Sequence, residues 1–360
     1  MPPSLSTLLT TLEMGDFQDR WEVAKVLPSY GEIALPSLLA LLQADDEDWE
    51  LRWFVTRILG EMAGPGVVEG LIAVLLQGTD SDLAETAALA LGNCGEAAVT
   101  VLTPLLSHPT HKKLAVKALA QIRHPAALTP LLTVAQDEED AVRLTVIEAL
   151  GQFHGERVIP VLLTALQDSA APVRRAAAIA LGGSMATLPL ETLEQELVPR
   201  LMDDALAVAE AVAITLGRSQ TAVATASLER LLQAPQTPVP LKVVAAHCLG
   251  RQESDLALTA LTQAWAGATD AVQLAIIAAL ERLGETHRKP TVQATFQAWL
   301  AALIGQNHAI GQKQAIALAL GRLQTRSAIP LLQRLGQDAE ESVQLHAAAA
   351  LRMVQTELMV

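Results

Sequence analysis

The sequence predicts an all-α fold, a right-handed α-solenoid of about eleven stacked helical hairpins. Two observations predict it. One helix ending, a small apolar cluster usually closed by Leu-Gly, recurs down the chain. It returns at Pro28, Gly60, Gly92, Ala120, Gly151, Gly182, Gly217, Gly250, Glu281, Gly321 and Arg352, at intervals of 28 to 40 residues. Self-similarity at such a period marks stacked supersecondary units rather than separate globular domains. The composition agrees: 51% of the 360 residues are hydrophobic but only 3% aromatic. A core of Leu, Ala, Val and Ile suits closely packed helices better than sheets.

Each unit reads as two helices. In Val158–Gly182 the first helix, Ile159 to Leu166, carries Pro160 near its start, where a missing N–H is tolerated. Asp168 and Ser169 interrupt it and offer side-chain acceptors to the next helix. The second helix places Val173, Ala176, Ala177, Ala180 and Leu181 on one face. Gly182 is expected to end it in a left-handed conformation. The same pattern is legible at Pro36–Gly60, Pro130–Gly151 and Pro330–Arg352. Counted back from the anchor, positions nine, six, five, two and one form the apolar seam; in the second repeat these are Leu51, Phe54, Val55, Ile58 and Leu59.

No long Gly-, Ser- or Pro-rich linker interrupts the chain. Residues 1–360 therefore read as one continuous solenoid, with 1–60 as aromatic-rich N-terminal capping repeats and 322–360 as the C-terminal cap. Two intervals are long, placing insertions around Met185–Leu193 and Glu285–Thr291. The second contains the basic run His287-Arg288-Lys289. Such insertions usually emerge as loops on one face.

Eight residues before the anchor stand Arg20, Arg52, Lys112, Arg143, Arg174, Lys242 and Lys313. Six residues before Arg52, Arg143 and Arg174 stand Asp46, Asp137 and Asp168, on the turn between helices. A carboxylate there is favoured by the helix dipole and can reach the basic side chain one turn on. The expectation is a structural acid–base ladder.

A proline in the first helix, an aspartate on the turn, Val-Arg opening the second helix and Ala-x-Ala-Leu-Gly closing it resemble HEAT repeats. The short period resembles the subclass found in phycobilin lyases and related phycobilisome proteins of cyanobacteria. The resemblance implies a protein concerned with maturation or assembly of a phycobiliprotein, as a chaperone-like scaffold or as a bilin lyase or lyase subunit. A general scaffold, for instance a partner of an iron–sulfur assembly factor, stays open beside it.

The net charge of −14 argues against nucleic acid, whose footprint is a basic stripe, and against anionic membrane surfaces. The N-terminus has no basic n-region, and no apolar run approaches the ~20 residues of a membrane span. A cytoplasmic setting is expected. The two cysteines, Cys94 and Cys248, form no CxxC pair. Cys248 falls on the buried seam, and Cys94 lies at a helix end. The eight histidines are scattered, with no His-Glu pair. No catalytic constellation, metal site or resident cofactor is expected.

What the repeat does not account for is aromatic. Six of the ten aromatic residues, Phe17, Trp21, Tyr30, Trp49, Trp53 and Phe54, lie in the first 60 positions. Trp21 and Trp53 share the column seven before the anchor; Lys25 and Arg57 share the column three before it. With Arg20, Arg52 and Trp49 they make the candidate binding patch. It reads as a seal on the open end of the core, as a protein interface rich in hot-spot residue types, or as an aromatic and cationic contact for a transient bilin. The function expected is non-catalytic binding of protein partners along the concave face.

Overall fold

The computed structural model describes residues 3–43, 48–62, 64–77, 81–185, 187–286, 289–306 and 308–355. Within them the chain is helical, without strands, and folds as eleven successive hairpins. They gather into two compact units, Met1–Ala180 and Leu181–Val360.

The N-terminal unit opens with helices α1 (Leu5–Met14), α2 (Phe17–Val26), α3 (Leu35–Gln43) and α4 (Trp49–Gly60). The starts of α1, α2 and α4 are capped by side chains. The Ser4 hydroxyl accepts the N–H of Thr7, the Asp16 carboxylate that of Asp19, and the Asp48 carboxylate that of Leu51. The second helices stack in one row, α2 on α4, then Ser81–Asn93, Lys112–Gln121 and Asp140–Leu150. The first helices make a parallel row, with α3 against Pro65–Gln77 and that against Glu96–Leu102. The seam is as expected: Leu51, Phe54, Val55, Ile58 and Leu59 are all buried.

The C-terminal unit repeats the plan. Its second helices, Leu206–Leu216, Val239–Leu249, Asp270–Thr286, Ile310–Arg322 and Glu341–Gln355, pack in that order. The expected loop near Glu285–Thr291 is instead helix on both sides, because the extra residues lengthen Asp270–Thr286 and Lys289–Leu303. Leu283, Gly284 and Val292 are buried there, so helical extension covers apolar surface that a loop would leave open. His287 and Arg288 lie outside the described residues. The insertion near Met185–Leu193 leads from turns into a short helix, Leu190–Thr192, and a π stretch, Leu193–Leu197.

The anchor glycines serve a different purpose from the expected left-handed stop. Gly151, Gly217 and Gly250 have φ of −61°, −61° and −62°, ordinary right-handed values. What they lack is the Cβ. One added at Gly60 would lie 2.6 Å from Cβ of Ala90; at Gly217, 2.7 Å from Cβ of Cys248; at Gly250, 2.6 Å from Cα of Ala279. Each of these three glycines thus meets the small residue two before the next anchor, and the missing methyl sets how closely those second helices approach.

The acid–base ladder exists, but its ion pairs run between repeats. Arg143 Nε and Nη2 donate to Asp168 Oδ2 and Oδ1 at 2.7 and 2.9 Å. Lys112 Nζ reaches Asp137 at 2.8 Å and Lys313 Nζ reaches Asp338 at 2.7 Å. In all three pairs the acid is 25 residues later, on the next repeat's turn. Toward its own turn Arg143 donates only to carbonyl oxygens, of Asp137 and Glu138, and Arg174 does the same with those of Asp168 and Ser169. The reason is local. Oδ1 of Asp137, Asp168 and Asp338 accepts the N–H two residues on, which holds each carboxylate facing the preceding repeat. The neighbouring charge keeps these carboxyls below their usual range: for Asp168 by the Arg143 hydrogen bond, for Asp338 by that of Lys313. For Asp137, burial pushes upward but the Lys112 bond and the turn N–H outweigh it.

Asp46, expected opposite Arg52, lies outside the described residues. Arg52 donates to Gln77 Oε1 at 2.6 Å, again 25 residues on, where this repeat carries an amide instead of an acid. Lys242 would meet Gly267 at that offset.

Candidate protein-docking face

The second helices of the first two repeats bring the tryptophans together. Positions seven and three before the anchor are one turn apart on a helix face off the apolar seam. Stacking α2 on α4 therefore puts Trp21 beside Arg57. The Arg57 guanidinium carbon lies 4.3 Å from the Trp21 ring centroid and 5.7 Å from that of Trp53. One cation thus bridges two indoles. No carboxylate pairs with Arg57 among the described residues.

Beneath them is Phe54, fully buried. Three rings meet it edge-on: Trp53 at 5.0 Å, Phe17 at 5.3 Å and Trp21 at 6.4 Å. Phe17 also stacks on Trp21 at 6.1 Å with an interplanar angle of 18°. The edge-to-face and offset geometries are those that aromatic quadrupoles favour. Trp21, Trp53 and Arg57 are half-buried, while Phe17 remains 53% exposed. The result is a platform of apolar rings around a guanidinium that no carboxylate among the described residues neutralises.

The other four residues of the expected patch go elsewhere. Lys25 is exposed and pairs with Glu22 of its own helix at 2.8 Å. Arg20 is 6% exposed and donates to Asp48, Glu50 and the carbonyl of Glu13; its job is joining α2 to the start of α4. The Asp48 carboxyl is correspondingly held low, chiefly by the Arg20 hydrogen bond. Arg52 is turned to Gln77. Trp49 is 43% exposed and makes no ring contact among the described residues. Phe17 belongs to the cluster, and its spacing of four from Trp21 was the signal for it.

A second aromatic contact escaped the sequence reading. In the C-terminal unit Trp265 and Trp299 stack with centroids 4.0 Å apart and planes 10° apart, with Phe296 at 6.1 Å. No repeat column aligns these two, since Trp265 opens a 3-10 turn of helix, Trp265–Gly267, and Trp299 lies in the first helix Lys289–Leu303.

The remaining reactive groups are disposed as structural ones. Cys248 is 3% exposed, against Gly217, and burial pushes its thiol up to about 11. Cys94 is half-buried, and burial raises it as well. His108 and His111 face each other with Nδ1 atoms 3.1 Å apart. Among the described residues no three His, Cys, Asp or Glu side chains converge as metal ligands. No single described helix is long and apolar enough to cross a membrane.

With this geometry in hand, the likeness to known proteins is informative about fold. A family model for HEAT repeats matches residues 5–92, 35–112 and 99–182. No curated protein matches the chain. Among solved structures the chain is similar to Kap95p in its complex with RanGDP, with a TM-score of 0.72 at 14% identity over 99% of this chain. It is similar to yeast importin-beta (Kap95p), TM-score 0.69 at 13% identity, and to the Kap95:Nup1 complex, TM-score 0.71 at 13% identity. The chain spans 56% of the length of each of these. The fold is an all-α stack of HEAT-like hairpins of the solenoid class.

Proposed function

We propose that this chain is a non-catalytic, protein-binding scaffold whose N-terminal unit holds a partner on the Trp21–Arg57–Trp53 platform. The observation that carries the reading is the guanidinium suspended between two half-exposed indoles without a carboxylate of its own. A fold needs no such arrangement to seal its end; leucines would do so at lower cost in desolvated charge. Trp and Arg on a pre-formed surface are the side chains that dominate binding energy in protein interfaces. The likeness to Kap95p, whose structures include complexes with RanGDP and Nup1, supports a stack of this kind as a surface for protein partners.

The short HEAT-like repeat extends the proposal to its partner: a phycobiliprotein, during maturation or assembly in the cytoplasm. The same platform favours a bilin as a transient ligand, since a flat tetrapyrrole with propionate carboxylates matches an indole face and a guanidinium fork. In that case the chain would serve as a lyase or lyase subunit.

The test is capture from the native host with wild type and with Trp21→Ala, Trp53→Ala and Arg57→Ala, alongside visible spectra of the purified protein mixed with a bilin. A phycobiliprotein retained by wild type and lost by the variants supports the scaffold. A perturbed bilin spectrum abolished by the same variants supports chromophore handling. Recovery of an iron–sulfur assembly factor instead would move the scaffold to that setting. Unchanged capture and unchanged spectra in all three variants would remove the platform from consideration.

A further inference from the structure

The residue after the anchor is arginine in four successive repeats of the C-terminal unit: Arg218, Arg251, Arg282 and Arg322. In the N-terminal unit the first five such positions hold Ser29, Glu61, Asn93, Gln121 and Gln152. Arg218 and Arg251 follow helices ended by Gly217 and Gly250 with almost the same dihedrals, while Arg282 lies inside Asp270–Thr286 and Arg322 ends Ile310–Arg322, all four at one repeat register. These second helices pack in succession. The side chains therefore leave the unit as one file, about a helix–helix distance (~10 Å) apart.

Only the last is neutralised. Arg322 pairs with Glu281 at 2.8 and 3.1 Å. Arg218, Arg251 and Arg282 are exposed, and none has an ion-pair partner among the described residues. Arg251 and Arg282 line one cleft together with His247. Arg218 lines another, of about 650 Å³, between the segment that follows it, Ser219 to Val223, and Met185, Leu188, Leu190 and Leu193 of the insertion. Leu190 is 49% exposed. The charge balance of the units fits a specialised edge. The N-terminal unit has 12 Lys and Arg against 23 Asp and Glu, net −11; the C-terminal unit has 13 against 16, net −3.

We propose that this file of arginines, headed by the apolar cleft of the 185–193 insertion, is a docking edge for an extended acidic segment of a partner protein. Apolar side chains of the segment fill the cleft, and carboxylates then meet Arg218, Arg251 and Arg282 in turn. Guanidinium groups take carboxylates in bidentate pairs. An extended chain advances about 3.3 Å per residue, so an acidic residue at every third position keeps step with a ~10 Å repeat. Glu281 and Glu285 sit beside Arg251 and Arg282; single carboxylates can avoid them, whereas a continuous polyphosphate would be repelled.

The full-length protein is titrated with a fluorescent peptide carrying two leucines followed by glutamate at every third position, with serine and glycine between, and binding is read by anisotropy. Wild type should bind, and added salt should weaken binding. The combined Arg218→Glu, Arg251→Glu, Arg282→Glu variant should bind about tenfold or more weakly, with helical circular dichroism unchanged. Arg251→Gln, a milder change at one exposed position, should lower affinity measurably if the triple variant folds poorly. Replacing the peptide's leucines by serine should also weaken binding, and Trp21→Ala should leave it intact, which separates this edge from the aromatic platform. No binding by wild type, or equal binding by folded variants, overturns the proposal. So does tighter arginine-dependent binding of oligothymidylate or of phosphatidylserine vesicles.

Discussion

The two units use one repeat to present two different surfaces. In the N-terminal unit the columns seven and three before the anchor hold Trp21 and Lys25, Trp53 and Arg57, Glu85 and Leu89, then Lys113 and Lys117. There Lys117 pairs with Glu85 of the preceding repeat at 2.6 Å, the same step by which Arg57 reaches Trp21. In the C-terminal unit those columns are largely apolar: Ile214 and Leu274 are each 40% exposed and Leu345 63%. Its arginines without ion-pair partners among the described residues, Arg218, Arg251 and Arg282, stand instead one position after the anchors. The seam, the anchor contact and the ladder are common to both units because each repeat must stack on the next through them. Columns that face away from the stack are free to diverge, so differences between the units are where binding is to be sought.

The largest effect expected within this comparison concerns the ladder. The Lys313 and Asp338 side chains are 1% and 9% exposed, so Lys313→Ala leaves a carboxylate desolvated and unpaired. A loss of about 3–5 kcal/mol is expected. Arg52→Ala in the N-terminal unit removes a hydrogen bond to a neutral amide and should cost about 1 kcal/mol. Urea unfolding of both variants checks the contrast, and equal losses would show that the ion pair adds nothing.

Next comes the anchor contact. Gly250→Ala forces a methyl to 2.6 Å from Ala279 Cα and should cost about 1–3 kcal/mol by overpacking. Gly31→Ala, where an added Cβ meets nothing within 4 Å but φ is +53° and ψ −135°, should cost about 1–3 kcal/mol through backbone strain alone. Thermal melts of the two separate packing from conformational strain.

Acid should weaken both units through the same groups. Asp48, Asp137 and Asp168, and Asp338 in the C-terminal unit, have carboxyls held below the unfolded value. Their contribution is complete above the unfolded carboxylate pKa of about 3.9 and is lost as pH falls through the lower folded values. Asp168→Asn should therefore be less stable than wild type at neutral pH and show a shallower decline in acid, as denaturant midpoints across pH would reveal. A parallel curve would exclude the linkage.

The smallest effect separates the thiols. Cys94 should react with a thiol reagent in the folded protein, whereas Cys248, buried and pushed up to about 11, should react only on unfolding. Mass spectrometry of alkylated protein with and without urea distinguishes them.

Much of this molecule was legible in its sequence. The helix endings located all eleven hairpins, and the seam of α4 was read residue by residue, because burial on a helix repeats with a period the eye can follow. The ladder's members were legible but its partners were not: the sequence shows Asp137 six before Arg143, and says nothing of a carboxylate turned backward by the N–H of Glu139. Of the candidate patch, the structure brings Trp21, Trp53 and Arg57 together and turns the other residues elsewhere. Arg20, Arg52 and Lys25 share the composition of a binding site with Arg57, yet Asp48, Gln77 and Glu22 already engage them.

By itself, then, the sequence determined the fold class, the repeat register and the identity of the buried seam, all consequences of local periodicity and of hairpins too small to bury a core alone. Only the tertiary structure decided which cations stay unneutralised, why the anchors are glycine, and that Trp265 meets Trp299. Those depend on how closely one repeat approaches the next, a distance set by side chains some 25 to 35 positions apart in the chain.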